Sequence, residues 1–268
     1  MQLSRLIRKT ERIIKKAARI MTGSFSVTEK EGNVNIVTSA DLAIQQYLSV
    51  QLSKLLPQSD FFGEENPYVP ADRKYIWVVD PIDGTTNFSR GIDTYAVSVA
   101  LLEDNEAVLA VVYCPGQRKM YTATKGNGAF CNGRPIHVSC RPFENSLLCT
   151  AMSLYRKEYA NQCIEVIREA YGRCNDIRRL GSCAMELCLL AEGKCDLYFE
   201  YRVFPWDYAA AALILQEAGG IIHGENGTEL KCDKPTPLIA ANTKENGSTL
   251  NDIVHRHIPH FPAEEVFR

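Results

Sequence analysis

The hydrophobic pattern of the first half predicts two helices and a sheet. Apolar residues recur at helical spacing over residues 2–21, which predicts an amphipathic helix. A second helix is predicted after Ser39, a plausible N-cap, and it ends before Pro57. Aromatic and β-branched runs predict strands over 74–79, 94–102, 107–113 and 119–124. We therefore expect two helices packed on an antiparallel-rich sheet.

The pattern changes near residue 141, after which strands and helices alternate. The predicted strands are 146–150, 176–180, 196–201 and 238–241. The predicted helices are 158–171, 182–191, 206–218 and 249–257. Such alternation predicts α/β layering. Because no repeat or low-complexity linker separates the halves, we predict a single domain over 1–268, with an α+β sub-lobe of about 1–140 and an α/β sub-lobe of about 141–268.

Composition limits the classes of protein to which this chain can belong. At 268 residues and 46% hydrophobic content, the chain can bury a sizeable core as one large domain or two intimate halves. The net charge of −2 argues against general binding of polyanions. We expect no membrane span and no signal peptide, since Arg and Lys interrupt residues 5–19. The ten cysteines contain no Cys-x-x-Cys pair, which favours a cytoplasmic protein with reduced, mostly buried cysteines.

The predicted N-terminal helix has one strongly basic face. Its basic residues, opposed by the single acid Glu11, are Arg5, Arg8, Lys9, Arg12, Lys15, Lys16 and Arg19. A face of this kind can bind a membrane surface or RNA, or belong to a transit peptide. On an otherwise neutral domain it is more often a solvated face. We therefore do not expect membrane or nucleic acid as partners.

Candidate chemistry is concentrated directly after the predicted strand 74–79. Residues 80–87 read Asp-Pro-Ile-Asp-Gly-Thr-Thr-Asn, so two carboxylates lie three residues apart where Pro81 should end the strand. No Lys or Arg lies between Tyr75 and Asn87. An uncompensated carboxylate pair is electrostatically costly, and hard oxygen ligands suit Mg²⁺, Mn²⁺ or Ca²⁺. By itself the pattern favours a hairpin turn beside a solvated strand end.

Two further elements accompany this motif and favour the metal site. Gly63-Glu64-Glu65 lies upstream, and Trp206-Asp207 opens an Ala-rich helix downstream. In this order the three elements resemble those of the inositol monophosphatase family of Mg²⁺-dependent, Li⁺-sensitive phosphomonoesterases, and the resemblance spans nearly the whole chain. It implies a layered α-β-α-β-α sandwich of the inositol monophosphatase and fructose-1,6-bisphosphatase type. It also implies Mg²⁺ as cofactor, with two or three ions and Mn²⁺ as a possible substitute, and a homodimer.

The resemblance assigns catalytic roles to individual residues. The metal ligands it implies are Glu64, Asp80, the carbonyl of Ile82, Asp83 and Asp207. Glu64 would hold the ion that carries the attacking water, and a hydrogen-bonded pair of Asp41 and Thr85 would activate that water. Gly84 and Thr85 would bind the phosphate at the opening of a helix. Without the family, the preferred interpretation of Asp41 is an acid at a helix N-terminus, where the helix dipole favours it.

The resemblance also implies substrate contacts. Glu200, seven residues before the acid of Trp206-Asp207, would bind sugar or inositol hydroxyls, and Asp93 would lie near the substrate ring. Ser182 and Cys183 match a helix start that borders the site, with Cys183 standing where the family often has Ala. The preceding Arg178-Arg179 could attract a phosphate or could simply be a solvated strand end.

The function implied is Mg²⁺-dependent hydrolysis of myo-inositol monophosphates and related small phosphate esters. Within the same chemistry the alternatives are fructose-1,6-bisphosphatase, 3′-nucleotidase and histidinol phosphatase. An alternative of another class is a transcription-associated interaction protein, for which the basic face of residues 5–19 is the one supporting feature. The expected partner is a small phosphorylated polyol or sugar.

Overall fold

The structure is a computed structural model that describes residues 2–29, 36–65, 74–152 and 157–262. The α-helices are α1 (Leu3–Ala17), α2 (Ser39–Leu55), α3 (Thr85–Ser89), α4 (Ala160–Tyr171), α5 (Cys183–Ala191), α6 (Pro205–Glu217) and α7 (Lys244–His257). The strands are β1 (Val27–Glu29), β2 (Ile36–Thr38), β3 (Ser59–Gly63), β4 (Tyr75–Asp83), β5 (Ala96–Glu103), β6 (Glu106–Cys114), β7 (Lys119–Thr124), β8 (Ala129–Cys131), β9 (Arg134–Ile136), β10 (Leu147–Ala151), β11 (Asp176–Arg178), β12 (Leu197–Val203), β13 (Ile221–His223) and β14 (Thr236–Ala241).

The first sheet has seven strands in the order β3-β4-β5-β6-β7-β8-β9. Strands β3 and β4 are parallel, and every other neighbouring pair is antiparallel. Trp77 and Val79 of β4 pack with α1 and α2 on one face, whereas Ile76 and Val78 pack with α5 and α6 on the other. Because both faces of β4 are covered, its sequence is continuously apolar rather than alternating. The predicted pair of helices on an antiparallel-rich sheet is confirmed.

The second sheet has five strands in the order β11-β10-β12-β14-β13. Strand β10 is parallel to both β11 and β12, and β14 is antiparallel to β12 and β13. Helices α5 and α6 cover one face, and α4 and α7 cover the other. The layers therefore follow the order α1/α2, first sheet, α5/α6, second sheet, α4/α7. The predicted α-β-α-β-α sandwich is confirmed.

Several predicted boundaries are displaced. The helix predicted over 2–21 ends at Ala17 and continues as a 3₁₀ turn over Ala18–Thr22. The closing helix begins at Lys244 instead of residue 249, because Thr243 caps it by accepting a hydrogen bond from the Asn246 N–H. Gly247 in this first turn packs so tightly on Ile221 that a Cβ there would lie 2.1 Å from the Ile221 Cδ1. Tertiary packing thus overrides the weak helix propensity of this turn.

The prediction that Pro81 ends the strand is wrong. Asp80 pairs with Ser98 and Asp83 with Ala96, so β4 has one extra residue between these pairs, which is a β-bulge. In a regular strand, residues three apart point to opposite faces. The extra residue reverses that relation and lets both carboxylates face the same space. Pro81 lacks an N–H donor, and a bulge tolerates its absence.

In the described ranges, no helix has both the length and the apolar character that crossing a membrane requires. The ten cysteines are free, and most of them are buried as predicted.

Candidate active site

A cavity of about 260 Å³ lies where β4, α3, α5, α6 and β12 converge. The residues predicted from the sequence that line this cavity are Glu64, Asp80, Ile82, Asp83, Gly84, Thr85, Ser182, Cys183, Glu200 and Asp207. They come from both halves of the chain, so the site forms only when the two sheets stack. Asp41 lies just behind the lining, and Asp93 lies outside it.

Asp80 is the most enclosed of the four candidate carboxylate ligands, with 2% of its surface exposed. Its Oδ1 accepts a hydrogen bond of 2.9 Å from the Ile82 N–H. Burial raises the pKa of Asp80 well above its usual range, and repulsion from Glu64, Asp83 and Asp207 raises this pKa further. All four side chains line the same cavity, where a bound cation would relieve this repulsion.

Asp83 links the two halves of the chain at the N-terminus of α5. Its Oδ2 accepts hydrogen bonds from the Ser182 hydroxyl at 2.5 Å and the Ala184 N–H at 2.7 Å, and its Oδ1 accepts one from the Cys183 N–H at 3.2 Å. These bonds hold down the pKa of Asp83, but burial outweighs them and raises it to about 6. Ser182 and Cys183 therefore border the cavity as predicted and also orient a candidate metal ligand.

Gly84 makes the turn between β4 and α3 possible. Its φ is +95°, in the left-handed region that side chains with a Cβ rarely adopt. A Cβ at this position would also lie 3.0 Å from the Thr94 carbonyl oxygen and 3.1 Å from that of Gly181. The turn therefore requires glycine for conformation and for space. The predicted helix opening is confirmed, since α3 begins at Thr85.

Asp41 and Thr85 form the predicted pair. The Thr85 hydroxyl oxygen lies 3.2 Å from Asp41 Oδ1 and 2.9 Å from the Ile82 carbonyl oxygen, and its one proton serves one of them at a time. Asp41 is fully buried, and its Oδ2 accepts hydrogen bonds from the N–H and the hydroxyl of Thr38 at 2.8 and 2.5 Å. Asp41 thus serves as a helix N-terminal acid and as the partner of Thr85 at once.

Glu64 and Asp207 approach the cavity from opposite halves of the chain. Glu64 directly follows β3, and its N–H donates to the Val79 carbonyl oxygen at 3.2 Å, which fixes it beside β4. Asp207 is the third residue of α6, where its Oδ2 accepts a 2.8 Å hydrogen bond from the Phe204 N–H. Burial raises the pKa of Asp207 well above its usual range, and repulsion from Asp83 contributes to a smaller extent. Capping the helix therefore does not remove the electrostatic cost of this carboxylate.

Glu200 is half-buried on β12, opposite Ala151 of β10. The Tyr198 hydroxyl donates a 2.5 Å hydrogen bond to its Oε2. Burial raises the pKa of Glu200 to about 7, against the lowering effect of this hydrogen bond and of the nearby Arg179. Glu200 thus lies in the cavity where the resemblance placed a substrate ligand.

Asp93 is not brought to the cavity. It is exposed and packs against Gly116, where an added Cβ would lie 2.6 Å from the Asp93 Cβ. Its contact with a substrate ring stays a prediction that the cavity lining does not support.

The cavity lining also contains residues that were not predicted as site residues, among them Arg202, Glu186 and Asn87. Arg202 lies two residues after Glu200 on β12, and strand alternation could have placed it on the same face. Glu186 is fully buried, and its Oε1 accepts the Leu180 N–H at 2.7 Å. The Asn87 amide donates to the Thr94 and Leu180 carbonyl oxygens, both at 2.7 Å, and so joins the halves. No local sequence signal distinguishes the roles of Glu186 and Asn87, because their partners are distant in the chain.

The donor set fits a hard divalent cation. Glu64, Asp80, Asp83 and Asp207 supply carboxylate oxygens and Ile82 supplies a carbonyl oxygen, the ligands that Mg²⁺ prefers. Within the residues that the structure describes, no three His, Cys, Asp or Glu side chains are placed so that together they could hold one metal ion. Several of these carboxylates instead receive hydrogen bonds from nearby donors. A carboxylate oxygen retains further acceptor capacity when it accepts one such bond.

Comparison with known proteins identifies the family of this chain. The profile described as "Inositol monophosphatase family" matches residues 2–258. The chain is 34% identical over 223 residues to a protein named Nus factor SuhB from Salmonella typhimurium, covering 81% of this chain and 84% of that protein. It is 33% identical over 235 residues to the Inositol-1-monophosphatase of Mesorhizobium japonicum, covering 85% of this chain and 88% of the relative.

Solved structures show the same fold. The extragenic suppressor protein suhB from Bartonella henselae superimposes with a TM-score of 0.86 at 30% identity, covering 94% of this chain and 99% of the other. The Thermotoga maritima IMPase superimposes with a TM-score of 0.84 at 28% identity, covering 94% and 98% of the two chains. Profile, relatives and architecture agree, and this chain belongs to the inositol monophosphatase family.

Proposed function

We propose that this chain is a phosphatase that requires a divalent metal ion and hydrolyses small phosphate monoesters, with myo-inositol monophosphates as substrates. The observation that supports this most strongly is the set of carboxylates Asp80, Asp83 and Asp207 in one cavity, whose pKa values are raised by loss of solvent and, for Asp80 and Asp207, also by repulsion from neighbouring carboxylates. Perturbed titratable groups in a cleft are typical of functional sites.

Mg²⁺ is the proposed cofactor, with two or three ions and Mn²⁺ as a possible substitute. The residues that would hold it are Glu64, Asp80, the Ile82 carbonyl, Asp83 and Asp207. When bound, the metal supplies Lewis acidity toward the phosphate and lowers the pKa of water. The cavity end formed by these residues has the negative charge that divalent ions require.

The chain's own residues would place the attacking water and the phosphate. The Thr85 Oγ1 would accept a hydrogen bond from the water while the Thr85 hydroxyl donates its own proton to Asp41 Oδ1. The water is thereby oriented, and a proton of the water has a route through Thr85 to the buried carboxylate of Asp41. Glu64 lines the same cavity as Thr85. Gly84 exposes backbone next to Thr85, where a phosphate oxygen can approach closely.

The substrate's polyol would lie at the other end of the cavity. Glu200 would offer a carboxylate to ring hydroxyls, and Ser182 and Cys183 line the same cavity. Hydrogen bonds of this kind discriminate polyols from plain esters, because a missing hydroxyl leaves a half-buried carboxylate unsatisfied.

Phosphate release after metal removal tests this function. Protein treated with a chelator should release no phosphate from myo-inositol 1-phosphate, and added Mg²⁺ should restore release. Glu64→Gln should abolish activity, whereas Glu106→Gln, at a carboxylate that is 60% exposed on β6, should not. Full activity without metal would refute the proposal. A screen of sugar phosphates, histidinol phosphate and nucleotide 3′-phosphates decides between the inositol ester and the other phosphatases of the superfamily.

We also propose a cytoplasmic protein that acts as a single domain and as a homodimer. Support for one domain comes from α6, which packs against the first sheet and lies over the second, and from the hydrogen bonds of Asp83 and Asn87 to the other half. Exposed apolar side chains, among them Leu42 and Ile92, offer surface that a second copy could cover. Light scattering coupled to gel filtration measures the mass of the assembly.

A second candidate function is interaction with a transcription complex. Relatives of this chain carry the name Nus factor SuhB, and the seven basic side chains of α1 and the turn after it are all exposed. Such a surface can bind the phosphates of RNA. Anisotropy of labelled single-stranded RNA tests this, since Arg8→Glu with Arg12→Glu should weaken binding while Arg134→Glu on β9 should not. Absence of binding at low salt would exclude RNA as a partner of this surface.

A further inference from the structure

Glu186 lines the cavity but has no role among the candidate metal ligands or substrate contacts. It is fully buried, and its Oε1 accepts a 2.7 Å hydrogen bond from the Leu180 N–H. Its other carboxyl oxygen, Oε2, has no hydrogen-bond partner within the described part of the chain. Because a buried polar atom without a partner costs stability, packing does not account for a carboxyl group at this position.

The surroundings of Glu186 favour its neutral form. Burial raises the pKa of Glu186 well above its usual range, and repulsion from Glu200 and Asp83 also raises it, against the lowering effect of the Leu180 N–H. A neutral carboxylic acid still offers its carbonyl oxygen as an acceptor. Glu186 can therefore hold the Leu180 N–H without placing a further negative charge beside the cavity.

Glu186 holds both ends of the turn that precedes α5. Its backbone N–H donates to the Ser182 carbonyl oxygen at 2.9 Å, while its side chain accepts the hydrogen bond from Leu180. The middle residue of the turn is Gly181, whose φ of +84° lies in the left-handed region. The turn 180–182 is thus fastened to the first turn of α5 at its beginning and at its end.

This turn contacts the first half of the chain at the site. The Ser182 hydroxyl donates a 2.5 Å hydrogen bond to Oδ2 of Asp83, a candidate metal ligand. The Leu180 carbonyl oxygen accepts a 2.7 Å hydrogen bond from the Asn87 amide on α3. A displaced turn would therefore move the donor that orients Asp83 and would disturb the contact with α3.

We propose that Glu186 is a positioning residue that holds the turn 180–182, sets the direction of the Asp83 carboxylate and thereby the affinity of the site for a divalent metal ion. In this role it acts through Ser182 and not by contact with the metal or the substrate. The inference rests on the proposed metal-dependent function and adds a residue that supports it.

Calorimetric titration with Mg²⁺ tests this role with two variants. Glu186→Met keeps the length of the side chain but removes the acceptor of the Leu180 N–H. Its dissociation constant for Mg²⁺ should rise about tenfold, the usual scale for one hydrogen bond. Glu186→Gln keeps an acceptor oxygen and, like the neutral acid, carries no charge, so its dissociation constant should stay within about twofold of the wild-type value.

Asp196→Asn is the matched control. Asp196 is also fully buried and accepts a backbone N–H, that of Leu147 at 2.8 Å, but it does not line the cavity. Its replacement should lower the melting temperature and leave the dissociation constant for Mg²⁺ unchanged. An equal rise in this variant would mean that general destabilisation weakens metal binding, and would overturn the proposal. Wild-type affinity in Glu186→Met, or the same loss in Glu186→Gln, would overturn it too.

Hydrogen exchange of the wild-type protein gives a readout that needs no variant, so it decides the question even if Glu186→Met does not fold. If the turn supports metal binding, the metal stabilises the turn in return. Mg²⁺ should slow exchange of the Leu180 amide about fivefold or more and leave the Leu147 amide unchanged. Equal effects on both amides, or no effect while Mg²⁺ binds, would refute the coupling. A protein that neither binds Mg²⁺ nor releases phosphate would instead fail the proposed function, so the two failures are distinguishable.

Discussion

Replacing Glu200 with glutamine should stabilise the metal-free protein at alkaline pH while weakening its use of polyol substrates. Glutamine keeps the length of the side chain and an oxygen that can accept the 2.5 Å hydrogen bond from the Tyr198 hydroxyl. It removes a charge that burial disfavours. A residue retained only for packing would not show this combination, because its replacement would cost stability at every pH.

The magnitude follows from the pKa of Glu200. Burial raises this pKa from 4.5 to about 7, and a difference of this size corresponds to about 3 kcal/mol. Because the folded state holds the proton more tightly than the unfolded state, ionisation lowers the free energy of unfolding as pH rises from about 4.5, and the loss is nearly complete above about 7. The substitution should therefore add about 1 kcal/mol near pH 5 and about 3 kcal/mol near pH 8.

Urea denaturation in chelator at these two pH values measures the effect. The difference between the two gains is the relevant quantity, since any change in the Tyr198 hydrogen bond that is independent of pH cancels. Asp93→Asn, which removes the same charge from an exposed position outside the cavity, serves as the control. Equal gains at both pH values, or a glutamine variant that is less stable at pH 8, would refute the electrostatic reasoning. In parallel, kcat/KM should fall more for myo-inositol 1-phosphate than for p-nitrophenyl phosphate.

Three further predictions concern the site and the fold. Asp207→Asn should lower turnover by about 100-fold or more, leave the metal-free melting temperature unchanged or higher, and reduce its increase on adding Mg²⁺. Gly84→Ala should cost about 1–3 kcal/mol of unfolding free energy in urea, because φ is +95° and two carbonyl oxygens lie within 3.1 Å of the added Cβ. Asp196→Ala should cost about 3 kcal/mol in the same assay, since Arg141 and a buried backbone N–H lose their acceptor, while kcat of the folded fraction is retained.

The sequence predicted most helices and strands of this fold well because their signals are local. Helical spacing and apolar runs are recognised within a single element, whereas the α-β-α-β-α order of the layers was implied by the family resemblance. The strand that carries Asp80 and Asp83 shows where local reasoning ends. Pro81 correctly signalled an interruption, but only the pairing with β5 shows that the strand resumes after a bulge. That bulge, which brings both carboxylates to one side, depends on a partner strand that local rules do not locate.

The candidate site also contains some residues that the sequence predicts and some contacts that it does not. The carboxylates could be predicted because their motifs are contiguous, whereas the contacts that orient them join distant segments. Asp83 meets the N-terminus of α5 about 100 residues further along the chain, and Glu186 meets Leu180 through a loop whose shape the sequence does not show. Asp93 is the converse case, since its place in the family pattern suggested a contact that the described cavity lining does not contain. A motif therefore indicates which residues can belong to a site, but it does not show where each side chain points.

Burial alone does not separate functional from structural carboxylates in this protein, but the sign of the neighbouring charge does. Asp196 is fully buried and is met by the guanidinium of Arg141, the Leu147 N–H at 2.8 Å and the Ser139 hydroxyl, so its charge is compensated within the fold. Asp80 is nearly as buried, yet the neighbouring charges that act on it most strongly are all carboxylates. A fold gains nothing from such repulsion by itself, because replacing one of these acids would relieve it. A bound cation that balances their charge would explain why these acids lie together. Asp196, whose charge is already compensated, needs no ligand to account for its presence.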